Sequence, residues 1–336
     1  MKYLIAGLGS IGRRHLRNLV ELGEKDILLF RTHQATLKDS DLADFPVETD
    51  LEKALAWQPD AVIVSNPTAL HLSVAIPAAQ AGCNLFLEKP LSKDCKDLDS
   101  LEDIVLKNKK QALVGFQFRF HPALQQIATW IEMGSIGRVI SASVHWGEYL
   151  PAWHPWEDYR VSYSAREDLG GGVVLTLCHP IDYLRWLVGE VHGVSAFVGQ
   201  ISDLELQVED VAEILMEHEN GAVSHIHLDY YQQPKRHEME IIGSQGSIRW
   251  NEIEGEAQLY NADEKKWLSF IPARSFERNE MFLQEMSHFL AILKNEASPV
   301  CSLRDGIRIQ EIIEAVYLSG KEKYGLMCLS KQNGVD

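Results

Sequence analysis

No stretch of this 336-residue chain holds the roughly 18 consecutive apolar residues that a membrane helix needs, so no membrane association is expected. Basic residues are in deficit: 32 Lys and Arg stand against 48 Asp and Glu, a formal net charge of −16. A protein that grips the phosphate backbone needs a basic stripe, so nucleic acid is not an expected partner. A phosphorylated cofactor stays open, because local positive charge can hold it. Cysteine is sparse and scattered (Cys83, Cys95, Cys178, Cys301, Cys328), with no CxxC spacing. That indicates neither a zinc site nor a disulfide framework, hence no metal, and a reducing cytoplasm is the simplest location. Internal repeats and low-complexity segments are absent too. The opening residues reach a glycine at Gly7, too early for a signal peptide, and read instead as a first strand.

What is present is ordinary globular material, 46% apolar and 24% charged. A chain this long suggests two domains. Residues 1–120 alternate short apolar runs (Tyr3–Ala6, Ile27–Phe30, Ala61–Val64, Leu85–Leu87, Ala112–Val114) with helical patterns at Ile11–Leu22, Leu51–Ala56, Ala69–Ala81 and Lys96–Lys107. Nearly all-apolar strands alternating with helices are the mark of a doubly wound α/β sheet covered on both faces. Pro77 inside the third helix predicts a kink or a late start. The texture then changes. After a helix at Ala123–Met133, β-rich segments dominate from Val139 to Tyr260, with turn signals at Glu219-Asn220-Gly221 and Gly243-Ser244-Gln245-Gly246. Two helical patterns, Arg278–Asn295 and Arg304–Lys323, close the chain. The expected architecture is an N-terminal Rossmann domain over 1–120 and a second, α+β domain over 121–336 with a mostly antiparallel sheet.

Gly7-Leu8-Gly9-Ser10-Ile11-Gly12 follows an apolar strand and opens an amphipathic helix, the context that makes GxGxxG a dinucleotide signature. Gly7 permits the tight turn, Gly9 lets a pyrophosphate approach the backbone, and Gly12 allows close helix–strand packing. Ser10 and Ile11 supply amides at the helix N-terminus. An NAD-selective site usually adds an acid about 20 residues on. Here the stretch reads Leu29-Phe30-Arg31-Thr32-His33, with no acid. Arg31 can pair with a 2′-phosphate and Thr32 can hydrogen-bond it, which favours NADP over NAD. Arg13 and Arg14 add charge nearby. The alternative is that Arg31 is a solvated loop residue.

The fourth apolar run, Leu85–Leu87, leads directly into Glu88-Lys89-Pro90. Ligands of open α/β sheets bind at the carboxyl ends of strands, which puts Lys89 where a substrate meets a nicotinamide. Lys89 can donate to a substrate oxygen and stabilise charge developing there. Pro90 fixes the turn, with a cis peptide open to it. Further on, Gly170-Gly171-Gly172 leads into an apolar helix in which Thr176, His179 and Tyr183 share one side and Asp182 stands ready to orient His179 or cap backbone. Taken singly, such a lysine is usually a surface residue and such a histidine a core one. Residues 149–163 are dense in aromatics: Tyr149, Trp153, Tyr159 and Tyr163, with Arg160 among them. Aromatic faces stack on sugar rings and an Arg binds carboxylate or phosphate. This stretch is read as a wall over the active site; a packed loop or a dimer contact is the competing reading.

Together and in this order, these motifs resemble the Gfo/Idh/MocA oxidoreductases. The resemblance also rests on Ser65-Asn66-Pro67-Thr68 with His71, on Val114–Pro122 and on Cys301–Gly306, and it covers nearly the whole chain. It implies an open-faced antiparallel sheet in the second domain, through which homodimers or homotetramers form. It implies Lys89 as active-site lysine and His179 as catalytic histidine. It also implies that Asn66, Pro67, His71 and Glu88 line the cofactor site, with Arg119 a candidate for the substrate. Many members place an Asp one helical turn before the histidine. Here Leu175 and Thr176 occupy that stretch, and Thr176 can hydrogen-bond substrate but holds no charge.

The reaction so implied is hydride exchange between NADP or NAD and a secondary alcohol or ketone of a sugar, sugar-nucleotide or cyclitol-like substrate. Relatives also include NAD-dependent glycoside-cleaving enzymes and a dinucleotide-binding regulator without turnover. Both remain alternatives, the second weakened by the presence of Lys89 and His179.

Overall fold

The computed structural model describes residues 1–32 and 42–330; His33 lies outside them. One unit comprises Met1–Gln117 together with Glu277–Gln310, and the other runs from Phe118 to Phe276 and resumes at Glu311.

In the first unit the chain runs β1 (Lys2–Ala6), α1 (Ser10–Glu21), β2 (Asp26–Phe30), β3 (Val47–Glu48), α2 (Leu51–Ala56), β4 (Ala61–Val64), α3 (His71–Gln80), β5 (Asn84–Glu88), α4 (Leu98–Lys107) and β6 (Ala112–Gly115). The six strands pair in parallel in the order β3-β2-β1-β4-β5-β6. This is the Rossmann order, with its reversal between β1 and β4. Every residue of β4 is buried, and β1 and β5 are buried beyond their first residue, because helices cover both faces. The late start expected at Pro77 does not occur there. A 3-10 turn occupies Thr68–Leu70, and α3 then runs through Pro77.

The second unit holds α5 (Pro122–Glu132), β7 (Val139–Gly147), α6 (Val173–Thr176), α7 (His179–Val188), β8 (Val191–Gly199), β9 (Val211–His218), β10 (Val223–Asp229), β11 (Arg236–Gly243), β12 (Gly246–Asn251), β13 (Glu256–Asn261) and β14 (Lys266–Phe270). After α8 (Arg278–Leu293), α9 (Leu303–Lys321) leads to β15 (Met327–Cys328). Nine strands line up as β14-β13-β12-β11-β7-β10-β9-β8-β15. All neighbours are antiparallel except β7 and β10. Along β9, β10 and β11 burial alternates: Ile214, Ile226 and Met239 are buried, while Leu215, His225 and Glu238 face outward. Among the described residues no helix is long and apolar enough to cross a membrane.

One boundary differs from the sequence expectation, which gave all of 121–336 to the second domain. Glu277–Gln310 belongs with the first unit. There Met286, Phe289, Leu290 and Ile292 of α8 join Tyr3, Ile5, Leu19, Ile27 and Phe86 in one apolar cluster. The Val114 amide donates to the Cys301 carbonyl at 3.0 Å. Helical periodicity reports an apolar face but not which sheet it covers, so the sequence could not place this segment.

Candidate active site

The first unit gathers its candidates at the carboxyl ends of β1, β4 and β5. A Cβ on Gly7 would lie 2.3 Å from the Asn66 amide nitrogen, and one on Gly12 would lie 2.0 Å from the Gly7 carbonyl oxygen. Both glycines are therefore demanded by the packing of turn, helix and strand. Over Gly9 there is open space. Gly9 is the N-cap of α1 and has no side chain to satisfy the amides of the first turn at Ser10, Ile11 and Gly12, which have no intrahelical acceptor. Ser65 Oγ donates to the carbonyls of Ala6 and Gly7 and ties β4 to the turn.

Asn66 donates its amide to the Leu70 carbonyl, while its Oδ1 is buried with no hydrogen-bond partner among the described residues. Next to it, Pro67 precedes the 3-10 turn. His71 is buried between two loops, with Nδ1 2.9 Å from the Pro90 carbonyl and Nε2 2.8 Å from that of Asn66. Burial holds its pKa below the ordinary value, so the ring is neutral at pH 7 and donates to one carbonyl at a time. His71 thus clasps the Asn66–Pro67 loop to the Lys89–Pro90 peptide, which is cis. Glu88 is buried at the end of β5, and its Oε1 lies 2.6 Å from His15 Nε2 on α1. Sequence reading missed His15; a histidine at the third position after Gly12, on the buried face of α1, was the available signal. Lys89 follows, half-buried.

Arg31 and Thr32 follow β2. The Arg31 amide donates to the Glu48 carbonyl and its side chain is buried; Thr32 is exposed. Of the flanking arginines, Arg13 is buried with Nε donating to the Leu8 carbonyl, and Arg14 stacks over Phe282 at 4.4 Å. Both are thus engaged by the protein itself.

A dinucleotide fits this unit on three of its features. These are the clear approach over Gly9, the uncapped first turn of α1 and the unpartnered Oδ1 of Asn66. Its pyrophosphate would lie over Gly9–Gly12.

The second unit holds His179, 3% exposed. It begins α7, and Pro180 follows in the first turn. Pro180 has no amide for the Thr176 carbonyl and its ring would clash there, so α6 stops at Thr176 and the chain turns at Leu177. Thr176, His179 and Tyr183 therefore do not share one continuous helix, contrary to the sequence expectation. The His179 ring meets Phe118 edge-on at 4.9 Å and stacks on Trp146 at 5.8 Å. Behind them His237 stacks on Trp146 at 4.2 Å and meets Phe118 and Trp250 edge-on, and the Tyr183 hydroxyl lies 3.1 Å from His237 Nε2. Trp146 and His237 were not singled out from the sequence. They sit directly opposite one another on the neighbouring strands β7 and β11, where a buried polar-aromatic pair looks like any other core position.

The substrate candidates scatter. Arg119 and Asp182 form a buried pair, with Nη2 to Oδ1 at 2.6 Å and Nε to both oxygens at 3.1 and 3.2 Å. Asp182 is 0% exposed and its carboxylate is held by that guanidinium. Arg160 is exposed and bound by Asp158 and Glu205, with its guanidinium over Tyr159. Trp153 packs edge-on against Tyr230 at 5.6 Å, Tyr149 is half-buried and Tyr163 is exposed. Thr176 is buried.

Two family descriptions match this chain. Residues 1–116 match the oxidoreductase family with an NAD-binding Rossmann fold, and residues 124–249 match the GFO/IDH/MocA C-terminal domain. D-apiose dehydrogenase of Paraburkholderia graminis is 26% identical over 96% of this chain and 88% of its own length. Myo-inositol 2-dehydrogenase of Thermotoga maritima is 27% identical over 91% and 92%. A solved structure of levoglucosan dehydrogenase in complex with NADH and levoglucosan superimposes with a TM-score of 0.86 at 21% identity, covering 98% of this chain and all of that one, a likeness of fold.

Proposed function

We propose, from the premise that the chain belongs to the Gfo/Idh/MocA oxidoreductase family, that it moves a hydride between NADP or NAD and a secondary alcohol or ketone of a sugar- or cyclitol-like substrate. The observation that carries this reading is end-to-end likeness: relatives named for D-apiose and myo-inositol each align over more than nine-tenths of the chain. Both names denote polyhydroxylated compounds. The nicotinamide, when bound, supplies the hydride acceptor or donor.

The chain's own residues do the rest. Gly7, Gly9 and Gly12 with the first turn of α1 take the pyrophosphate, and Asn66 offers its buried Oδ1 to a cofactor donor. His179 accepts the hydroxyl proton in the oxidative direction and returns it in the other. Lys89 donates a hydrogen bond to the reacting oxygen or its neighbour and stabilises the charge developing there. His71 and the Glu88–His15 contact hold the Lys89 loop in place. Thr176, where many relatives carry an Asp, leaves His179 without that charged partner. Arg31 with Thr32 favours NADP, since no acid stands in that stretch to receive a ribose 2′-hydroxyl. The open face of the second sheet is the surface for a homodimer or homotetramer, and a cytoplasmic location follows from the cysteine usage.

A panel of sugars, sugar nucleotides and cyclitols, run with both cofactors and read at the nicotinamide absorbance, tests this. Net cofactor reduction or oxidation is expected, with kcat/KM at least tenfold higher for NADP. A preference for NAD would overturn the role given to Arg31. Lys89→Ala and His179→Ala should each lower kcat by about 10²- to 10⁴-fold, the usual worth of a positioned acid–base group. Bond cleavage without net cofactor turnover would instead identify a glycoside-cleaving enzyme. Dinucleotide binding with unchanged behaviour of both variants would identify a sensor.

A further inference from the structure

Parallel pairing of β7 with β10 sets His145 directly opposite His227, and antiparallel pairing of β10 with β9 sets Glu213 opposite His227. His145 and His227 line a groove of about 550 Å³ on the open face of the second sheet, together with His225, Arg236 and Glu238. The two imidazoles lie side by side, centroids 4.2 Å apart and 27° from parallel. His227 Nε2 is 2.9 Å from Asp229 Oδ2, and His145 Nε2 is 2.6 Å from Gln232 Oε1. Those two oxygens converge on one spot: a Cβ on Gly147 would lie 2.2 Å from the Asp229 oxygen and 2.4 Å from that of Gln232. Only glycine at 147 leaves them room.

We propose that His145, His227 and Asp229, with Gln232 as a fourth oxygen donor, form a binding site for a divalent transition-metal ion of the Zn²⁺ class. The three principal ligand atoms lie within 4.8 Å of one another. A tetrahedral Zn²⁺ with bonds of about 2.0–2.2 Å sets its ligand atoms about 3.4 Å apart, so the pairs at 2.9 and 2.6 Å open and the wider ones close, within the reach of small side-chain rotations. Two nitrogens with oxygen suit this class of ion better than Mg²⁺ or Ca²⁺, which prefer all-oxygen sites.

The surroundings are built as metal sites are. Glu213 Oε1 lies 2.6 Å from His227 Nδ1, the carboxylate–histidine arrangement that fixes a ligand's tautomer and orientation. Asp229 is 1% exposed, and its Oδ1 accepts the amides of Tyr231 and Gln232 at 2.9 and 2.6 Å, leaving Oδ2 to face the histidines. Arg236 opposes a cation but is drawn to Glu238 at 2.9 Å. Spacing rules could not find this site, because its ligands come together through strand register.

The full-length protein is titrated with Zn²⁺ against a chromogenic chelator, and with Co²⁺ followed by visible absorption. One ion per chain is expected, with the intense bands of four-coordinate Co²⁺. His145→Ala and His227→Ala should each weaken Zn²⁺ binding at least tenfold, and Glu213→Gln by about 10- to 100-fold. Circular dichroism and light scattering establish that the variants keep their fold and assembly. Absence of stoichiometric binding, or an affinity unchanged from the wild type in both folded histidine variants, overturns the proposal. None of these residues belongs to the catalytic set, so nicotinamide turnover is unchanged in the variants whether or not the site is real, and the two readings fail independently.

Discussion

Glu209 is the residue whose ionisation costs the fold most visibly. Burial under Gly172 pushes its pKa up to about 7, against the pull of the Tyr317 hydroxyl and the Val174 amide, which both donate to Oε1 at 2.7 and 3.2 Å. The folded chain keeps this proton to about pH 7, whereas an unfolded Glu releases it near pH 4.3, so stability falls as pH rises between those values and the loss is complete above them. Glu209→Gln keeps an acceptor for both donors and removes the charge. It should raise stability at pH 8 by up to roughly 3 kcal/mol and flatten the dependence between pH 5 and 8, read by urea denaturation. Arg119 is the opposite case. It and Asp182 were each legible as candidates, but 63 residues of separation hid that they bind one another. Arg119→Ala removes the guanidinium from a buried ion pair and should cost about 3–5 kcal/mol in thermal unfolding. An unchanged melting temperature with a raised KM would instead show Arg119 addressing substrate.

At the scale of elements, the strands and helices of the Rossmann sheet were legible because each is a dense apolar run or a clear amphipathic period, and the observed bounds differ from the expected ones by a residue or two. β3, β14 and β15 were not read. Two of them are two residues long, and Lys266–Phe270 is exposed along most of its length, so neither carries a burial pattern. The break between α6 and α7 was missed although Pro180 marks it, because the apolar pattern on either side is unbroken. The contact of α1 with the turn before it was legible residue by residue, and it is stringent. Gly12→Ala brings a methyl to 2.0 Å from the Gly7 carbonyl and 2.7 Å from Ser65 Oγ, so the turn itself must move. Overpacking of this kind costs about 1–3 kcal/mol. The dinucleotide affinity should fall by at least tenfold, measured by quenching of protein fluorescence on titration with NADP and NAD.

For the molecule as a whole, the dinucleotide-binding unit is not one continuous stretch of chain. Its apolar cluster takes Met286, Phe289, Leu290 and Ile292 from α8, a helix that the chain reaches only after the entire second sheet. Phe289 is 0% exposed and meets Phe86 edge-on at 5.5 Å, and Phe86 in turn contacts His15, the partner of Glu88. Removing α8 therefore uncovers one face of the parallel sheet and the packing behind the Lys89 loop together. Each large side chain withdrawn from such a cluster is worth about 3–5 kcal/mol for Phe and 2–5 for Leu, Ile or Met, which exceeds the total stability of about 5–15 kcal/mol of a typical domain once several go at once. A chain ending at residue 120, the boundary that the sequence pattern suggests, should show no cooperative thermal transition and no dinucleotide binding. Residues 1–117 joined through a short Gly-Ser linker to 277–310 should recover both, because Cys301, Gly306 and α8 return to Val114, Leu91 and Phe86. Cooperative folding and binding by the shorter chain would show that α8 is dispensable and that the cluster closes without it.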